Sequence, residues 1–168
     1  MISVITAVAS HIEGIRKVCI EGNKETYQHI YQPEYLNRVI KEYYNKDRIL
    51  KETTELSRDW GGYFVALDGE DVVGAAGGGM TGSIDSELYV LYLNPNRRNE
   101  GIGTLLLEAV TRQQKEWGAE TQWVSVQKGN DKGIPFYEAR GFSFDKEEKG
   151  FGTKEDEEYI SLRYKRMI

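Results

Sequence analysis

Between a predicted strand and a predicted helix the chain reads Arg97-Arg98-Asn99-Glu100-Gly101-Ile102-Gly103-Thr104. The two glycines allow the backbone to approach a ligand closely, and the first turn of a helix offers N–H groups that have no acceptor within the helix. Those N–H groups lie at the positive end of the helix dipole, and the two arginines add donors suited to phosphate oxygens. Residues 97–104 are therefore predicted to bind an anion, with a phosphate as the best candidate.

Two common phosphate-binding motifs do not fit this stretch. A dinucleotide-binding fingerprint needs a third glycine where the chain has Leu106, and it follows its strand directly, whereas Pro95 intervenes here. A P-loop needs Gly-Lys-Ser or Gly-Lys-Thr, which the chain lacks. No such pair follows the run Gly77-Gly78-Gly79, and we expect that run to lie where a strand frays into a loop.

The composition predicts one soluble domain over residues 1–168. A chain of 168 residues can bury one core, and 39% hydrophobic with 29% charged residues exclude both disorder and a membrane protein. A net charge of −5 argues against a nucleic-acid partner. One cysteine and two separated histidines offer neither a disulfide nor metal-ligand spacing, and the first ten residues do not resemble a secretory signal. We predict a cytoplasmic protein without a metal or a membrane contact.

Hydrophobic periodicity predicts a fold that mixes helices and strands. Helical spacing is found over residues 11–21, 33–56, 101–117 and 133–139. Strand-like segments are found over residues 63–67, 72–76, 87–93, 121–126 and 159–164, and a further strand begins at 142–144. The acidic residues between 145 and 158 predict a solvated loop.

Two blocks of the sequence resemble the GNAT superfamily of acyl-CoA-dependent N-acetyltransferases. The first block is Arg98-x-x-Gly101-x-Gly103, preceded by Leu91-Tyr92-Leu93-Asn94-Pro95 and followed by Leu105-Leu106. The second block is Asn130-x-x-Gly133-x-x-Phe136-Tyr137-x-x-x-Gly141-Phe142. A match to both blocks in the family's order identifies the family far more specifically than a match to either block alone. The departures are mild: Gly133 stands where alanine is usual, and Arg97 where an aromatic residue is common.

The resemblance implies the GNAT fold and acetyl-CoA as cosubstrate. That fold is a mixed α+β arrangement, in which a mostly antiparallel sheet of six to seven strands is flanked by about four helices. Two central strands, 87–93 and 121–126, are expected to splay apart at the cofactor site. The residues to which the resemblance assigns cofactor contacts are Leu91, Tyr92, Leu93, Arg97, Arg98, Asn99, Glu100, Gly101, Ile102, Gly103, Thr104, Asn130, Phe136 and Tyr137.

Acetylation of an amine needs a base, because an alkylamine with a pKa of about 10 is almost wholly protonated near neutral pH. The resemblance assigns this role to Glu87, and a two-residue period places Glu87 on one strand face with Tyr89, Leu91 and Leu93. It assigns to Tyr137 the protonation of the leaving thiolate. The alternative for Glu87 is a solvent-facing glutamate at a strand end. The alternative for Tyr137 is an aromatic residue packed in the core.

The acceptor is indicated by weaker features. Residues 25–31, the Pro33-Glu34 pair and the tyrosine-bearing helix that follows resemble PaiA-type polyamine acetyltransferases, and Asp85, Glu87 and the acidic segment 145–158 suit a cation. We therefore expect a small primary amine such as a polyamine. Acetylation of protein N-termini or lysines stays open, as does a sensor that binds acyl-CoA without catalysis. The strand predicted over 159–164 could offer an edge for a homodimer.

Overall fold

The computed structural model describes residues 1–150 and 159–168, which form seven strands, five α-helices and one 3₁₀ turn. In chain order these elements are β1 (Ile2–Thr6), the 3₁₀ turn (Ala9–His11), α1 (Ile12–Tyr27), α2 (Pro33–Tyr43), α3 (Lys46–Thr54), β2 (Tyr63–Asp68), β3 (Asp71–Met80), β4 (Asp85–Leu93), α4 (Ile102–Glu116), β5 (Thr121–Gln127), α5 (Gly133–Glu138), β6 (Ser143–Lys149) and β7 (Ile160–Met167).

The strands form one sheet in the order β1-β2-β3-β4-β5-β7-β6. Every neighbouring pair is antiparallel except β4 and β5, which are parallel. The parallel pairing joins Asp85–Leu88 to Thr121–Val124 and goes no further along either strand. The mostly antiparallel sheet and the splay between its two central strands are therefore as the resemblance implies.

Alternate residues of the strands pack into two hydrophobic cores on opposite faces of the sheet. In β2, Val65 joins the core that holds Ile15 of α1, while Ala66 joins the core that holds Leu106 of α4. All four side chains are fully buried. This alternation is what a sheet covered on both faces requires, and it fixes α1 and α4 on opposite sides of β4.

The N-terminal helices are longer and more divided than the periodicity predicts. Helix α1 continues past residue 21 to Tyr27, and the predicted helix over 33–56 is two helices. The division falls at Asn45, whose side chain accepts a hydrogen bond from the Arg48 N–H at 2.8 Å and so caps the start of α3.

Within residues 1–150 and 159–168, no helix is both long and apolar enough to cross a bilayer. The cytoplasmic location stays a prediction.

The edge strands differ most from the sequence prediction. Strand β1 lies in a stretch for which the sequence predicts no element, and β6 extends through Lys149 into the stretch expected to be a loop. Every residue of β6 is exposed, so its charges suit an edge strand as well as a loop. Residues 151–158 of that expected loop lie outside the described residues.

The expectation that the last strand is an edge is wrong, because β7 pairs with β5 and β6 on its two sides. A homodimer stays a prediction.

The glycine run 77–79 lies inside β3 and is buried, so the expectation that the strand frays there is wrong. A Cβ atom added at Gly78 would overlap the carbonyl oxygen of Glu87 and lie 2.7 Å from Nε2 of Gln114. The position is glycine because β4 and a side chain of α4 approach the strand too closely for any larger residue.

Gly78→Ala is expected to destabilise the protein by about 1–3 kcal/mol, because the added methyl group overlaps backbone that cannot move without disturbing the β3–β4 pairing. Gly82→Ala is the matched control, since a Cβ atom there has its nearest neighbour, Asp85 Oδ2, at 3.6 Å. Urea denaturation followed by circular dichroism compares the two variants. Equal unfolding midpoints would contradict the packing argument.

Candidate active site

The backbone between β4 and α4 presents a row of hydrogen-bond donors. Asn99 and Gly101 adopt left-handed conformations, with φ of 63° and 79°, and α4 begins at the next residue. The peptide N–H groups of residues 98–104 donate to no acceptor within residues 1–150 and 159–168; Leu105 makes the first bond, to the Gly101 carbonyl at 3.1 Å. Alternation between left- and right-handed backbone turns successive N–H groups toward one concave side, an arrangement known as a nest.

The two predicted phosphate-binding arginines have different surroundings. Arg97 forms a bidentate pair with Glu100, at 2.8 and 2.9 Å, and a contact of 3.0 Å with Asp68. The bond to Arg97 holds the pKa of Glu100 below its ordinary value. Arg98 has no ion pair or side-chain hydrogen bond to any described residue, and it lines the cleft beside the nest. Arg98 is thus the arginine whose charge is available to a ligand.

A third arginine, Arg140, contacts the first turn of α4. Its Nε and Nη2 both donate to the Thr104 hydroxyl, at 3.0 and 2.6 Å, and its Nη1 donates to the Phe136 carbonyl at 2.8 Å. The guanidinium also lies 3.8 Å from the centre of the Phe136 ring. Arg140 therefore ties the first turn of α4 to α5. No sequence motif marks it, because it falls at an unspecified position of the second block.

A cleft of about 170 Å³ runs from the nest into the splay between β4 and β5. The predicted residues that line it are Leu91, Tyr92, Leu93, Arg98, Gly103, Asn130, Phe136 and Tyr137. The Asn130 side chain accepts a hydrogen bond from the Gly133 N–H at 2.8 Å, so it caps α5. Burial raises the pKa of the Tyr137 hydroxyl above its ordinary value.

A β-bulge in β4 changes which way its side chains point. Gly77 pairs with Val90 and Gly78 with Leu88, so Tyr89 is an extra residue without a partner on β3. Beyond the bulge, Val90 and Tyr92 pack on the α1 side, while Leu91 and Leu93 pack on the α4 side.

The expectation that Glu87 shares a face with Leu91 and Leu93 is wrong. Because the bulge inserts one residue between them, the simple two-residue period breaks at Tyr89. The Glu87 side chain instead lines a larger cavity on the α1 side, together with Val90 and Tyr92.

This larger cavity, of about 1050 Å³, meets the cleft at the bulge. Six residues line both spaces: Tyr27, Leu88, Tyr89, Val90, Tyr92 and Ser125. Among the described residues, the cavity wall carries eight tyrosines and six acidic residues, the latter being Asp47, Glu52, Glu55, Asp59, Glu87 and Glu148. Asp85 is not among them. The cleft and the larger cavity therefore adjoin at the splay.

Contacts between distant parts of the chain hold the part of the cavity wall that includes Tyr31 and Gln127. The Tyr31 hydroxyl donates to Gln127 Oε1 at 2.8 Å, and the Gln32 N–H donates to the Tyr159 hydroxyl at 2.8 Å. The rings of Tyr31 and Tyr159 lie 4.7 Å apart. The turn between α1 and α2 is thereby fastened to β5 and to the start of β7.

Glu87 is held by a bidentate ion pair. Arg163 Nη1 lies 2.7 Å from Glu87 Oε2, and Nη2 lies 2.8 Å from Oε1. The two side chains are only 14% and 15% exposed, so neither is a freely solvated surface group. The carboxylate raises the pKa of the Arg163 guanidinium. The alternative of a solvent-facing strand-end glutamate does not describe this residue.

Comparison with known proteins places this geometry in a family. Residues 24–142, well over half of the chain, match the model of the acetyltransferase (GNAT) family. The chain belongs to the GNAT acetyltransferase family. It is therefore an acyltransferase, and the resemblance stated from its sequence motifs is confirmed.

The relatives of this acetyltransferase include a PaiA protein, as the sequence of its N-terminal half predicts. Spermidine N(1)-acetyltransferase of Thermoplasma acidophilum is 31% identical over 139 residues, which cover 78% of this chain and 81% of that protein. A Bacillus subtilis protein, uncharacterized N-acetyltransferase YuaI, is 32% identical over 145 residues, covering 83% and 79%. The crystal structure of PaiA N-acetyltransferase from T. acidophilum in complex with coenzyme A superposes with a TM-score of 0.80 at 25% identity, over 97% and 98% of the two chains.

Arg140→Met is expected to destabilise this acetyltransferase by about 1–3 kcal/mol, because it removes three hydrogen bonds that join α4 to α5. Arg112→Met is the control, since Arg112 is an exposed α4 residue without a partner among the described residues. Thermal unfolding of both variants measures the difference. A melting temperature for Arg140→Met equal to that of the control would show that these bonds contribute nothing net.

Proposed function

We propose that this enzyme transfers the acetyl group of acetyl-CoA to a primary amine of a small cationic acceptor, with polyamines as the substrate class. The observation that carries the proposal is the meeting of the cleft and the larger cavity at the splay, which we take to be one channel in the working enzyme. At one end, residues 98–104 offer free N–H donors, and at the other the larger cavity offers acidic and aromatic side chains. The spermidine acetyltransferase among the relatives supports the choice of acceptor.

The nest and the cleft fit coenzyme A in chemistry and in position. Free N–H groups at the start of α4, with Arg98 beside them, suit a diphosphate. The edge of β4 beyond Leu88 has no partner on β5, so its backbone can bond the extended amide-containing arm of the cofactor. The cap bond leaves the NH₂ group of Asn130 available to the same arm. A coenzyme A complex is known for the PaiA relative.

Two side chains on the channel have the properties that the transfer needs. Bound acetyl-CoA supplies a thioester, whose C–S bond breaks as the new C–N bond to the amine forms. Glu87 accepts the proton that the ammonium group must lose before it can attack, directly or through a water molecule. Tyr137 donates a proton to the departing sulfur, since its hydroxyl lines the cleft and is protonated near neutral pH.

The larger cavity supports a polycationic acceptor. Six carboxylates of the described residues line it, and four of them are paired with cations of the same wall: Glu52 with Arg48, Glu55 with Lys51, and both Glu87 and Glu148 with Arg163. Aromatic faces add attraction for ammonium groups. A volume of about 1050 Å³ accommodates a molecule considerably longer than a single amine group.

Arg98→Ala is expected to weaken coenzyme A binding about 10-fold, because a charge-assisted contact to phosphate is worth about 1.5–3 kcal/mol and part of it is screened by solvent. Arg112→Ala, on an exposed turn of α4, is the control and should bind as the unmodified enzyme does. Isothermal titration calorimetry with coenzyme A measures both dissociation constants. Similar losses in the two variants would point to a diffuse electrostatic effect and away from a contact at the nest.

Glu87→Gln and Tyr137→Phe are each expected to lower kcat by about 100-fold, as typical for removal of a general base or acid, with little change in coenzyme A affinity. Release of the coenzyme A thiol is followed with spermidine, other polyamines and lysine- or N-terminus-bearing peptides as acceptors. Turnover restricted to peptides would move the substrate class to proteins. Tight coenzyme A binding without thiol release for any acceptor would favour the sensor.

A further inference from the structure

We infer that Arg163 is a positioning residue that fixes the Glu87 carboxylate at the mouth of the splay. This inference rests on the proposed function, in which Glu87 accepts the proton of the acceptor amine. Its basis is the arrangement of hydrogen bonds around one guanidinium group on β7, a strand that carries none of the family's sequence motifs.

Arg163 engages both oxygens of Glu87 at once. The two N–H···O contacts, of 2.7 and 2.8 Å, use the planar fork of the guanidinium, which fixes the plane and the distance of the carboxylate as a single contact could not. Each carboxylate oxygen has two lone pairs, and Arg163 occupies one on each oxygen. The remaining lone pairs can accept a proton or a hydrogen bond from a group in the cavity.

Arg163 is itself held by neighbouring strands. Its Nη1 also donates to the Ser125 hydroxyl on β5 at 2.7 Å, and its Nε lies 3.6 Å from a carboxylate oxygen of Glu148 on β6. Its guanidinium carbon lies 5.2 Å from the centre of the Trp123 ring. One side chain therefore joins β4, β5, β6 and β7, and its position does not depend on Glu87 alone.

The ion pair between Glu87 and Arg163 lies where the pairing of β4 with β5 ends. Glu87 pairs with Trp123 one residue before the β4–β5 pairing ends at Leu88, and the bulge follows immediately at Tyr89. Beyond this point β5 gives the β4 backbone no support. Without Arg163, the glutamate side chain is free to turn about three bonds into an open cavity. The ion pair restores the fixed geometry that proton transfer requires.

The ionisable groups beside the ion pair are mostly acidic. Arg163 interacts with Glu148 on β6 and with Tyr89 on β4, and Tyr89 in turn interacts with Asp59 before β2. Arg163 is the cation among these groups. Removing it leaves the carboxylates without their counter-charge, and it also releases the Glu87 side chain.

The test compares Arg163→Met, Arg163→Lys, Glu87→Gln and the double variant of Glu87→Gln with Arg163→Met. For Arg163→Met we expect kcat to fall about 10- to 100-fold and the acidic limb of the kcat profile to move to higher pH, while the coenzyme A dissociation constant changes less than about 2-fold. Arg163→Lys keeps the charge but offers no fork, so its kcat should fall less and its acidic limb should stay in place.

The double variant tests whether Arg163 acts through Glu87. In the Glu87→Gln background, Arg163→Met should lower kcat by less than about 3-fold further, because the group it positions is already lost. Lys165→Met is the control, since Lys165 lies on the same strand, is 48% exposed and pairs with Asp145 at 3.4 Å. Its kcat and pH profile should equal those of the unmodified enzyme.

Two results would overturn the inference while leaving the proposed function intact, and a third would overturn the inference together with the base role of Glu87. An unchanged kcat and pH profile in Arg163→Met overturns it while leaving Glu87 as the base. If Arg163→Met lowers kcat by the same factor in the unmodified enzyme and in the Glu87→Gln background, Arg163 does not act by positioning Glu87. Unchanged turnover in Glu87→Gln removes both the base role and the inference. If Arg163→Met does not fold, Arg163→Lys decides by itself, and an unchanged kcat in that variant overturns the need for a bidentate contact.

Discussion

The short parallel pairing between β4 and β5 is the constraint on which the rest of the molecule depends. It joins only Asp85–Leu88 to Thr121–Val124, and the strands then diverge. The divergence opens a passage through a sheet that is otherwise closed by backbone hydrogen bonds. The nest at the start of α4 lies on one side of this passage and the larger cavity lies on the other. A longer pairing would seal the sheet and separate the two.

A buried polar network supports the strands where their pairing ends. Gln114 of α4 donates to the Glu87 carbonyl at 2.9 Å and accepts from Gln122 of β5 at 2.8 Å. Arg166 of β7 donates to Gln122 at 2.9 Å. Gln114 and Gln122 are fully buried, so leaving any of these groups unpaired would be costly, and the network specifies one relative position of α4, β4, β5 and β7. The splay is thus rigid at its closed end.

The sequence predicted the parts of the molecule that depend on local patterns. The Gly101 and Gly103 spacing identified the start of α4, and the second block identified Phe136 and Tyr137 beside the same cleft. The family fold followed from those blocks, including the parting of the two central strands. These features lie close together along the chain or are repeated throughout the family, so a single sequence carries them.

The failures concern contacts between distant residues. The bulge at Tyr89 lies beside Gly78, where β3 and β4 pack closely, and a two-residue period cannot reveal it. The pairing of Glu87 with Arg163 spans 76 positions, and no motif marks the arginine. The exposed, charged strand β6 resembles a loop in composition because its partner β7 is the only strand it contacts in the described sheet.

The contacts of Tyr31 and Gln32 with Gln127 and Tyr159 have a consequence for the order of assembly during synthesis. They close loops of 96 and 127 positions, so both contacts can be present only after Tyr159 has left the ribosome. Residues 98–104, which form the nest, are synthesised more than fifty residues earlier. During synthesis, every residue of the nest is therefore outside the ribosome well before this part of the cavity wall can assemble.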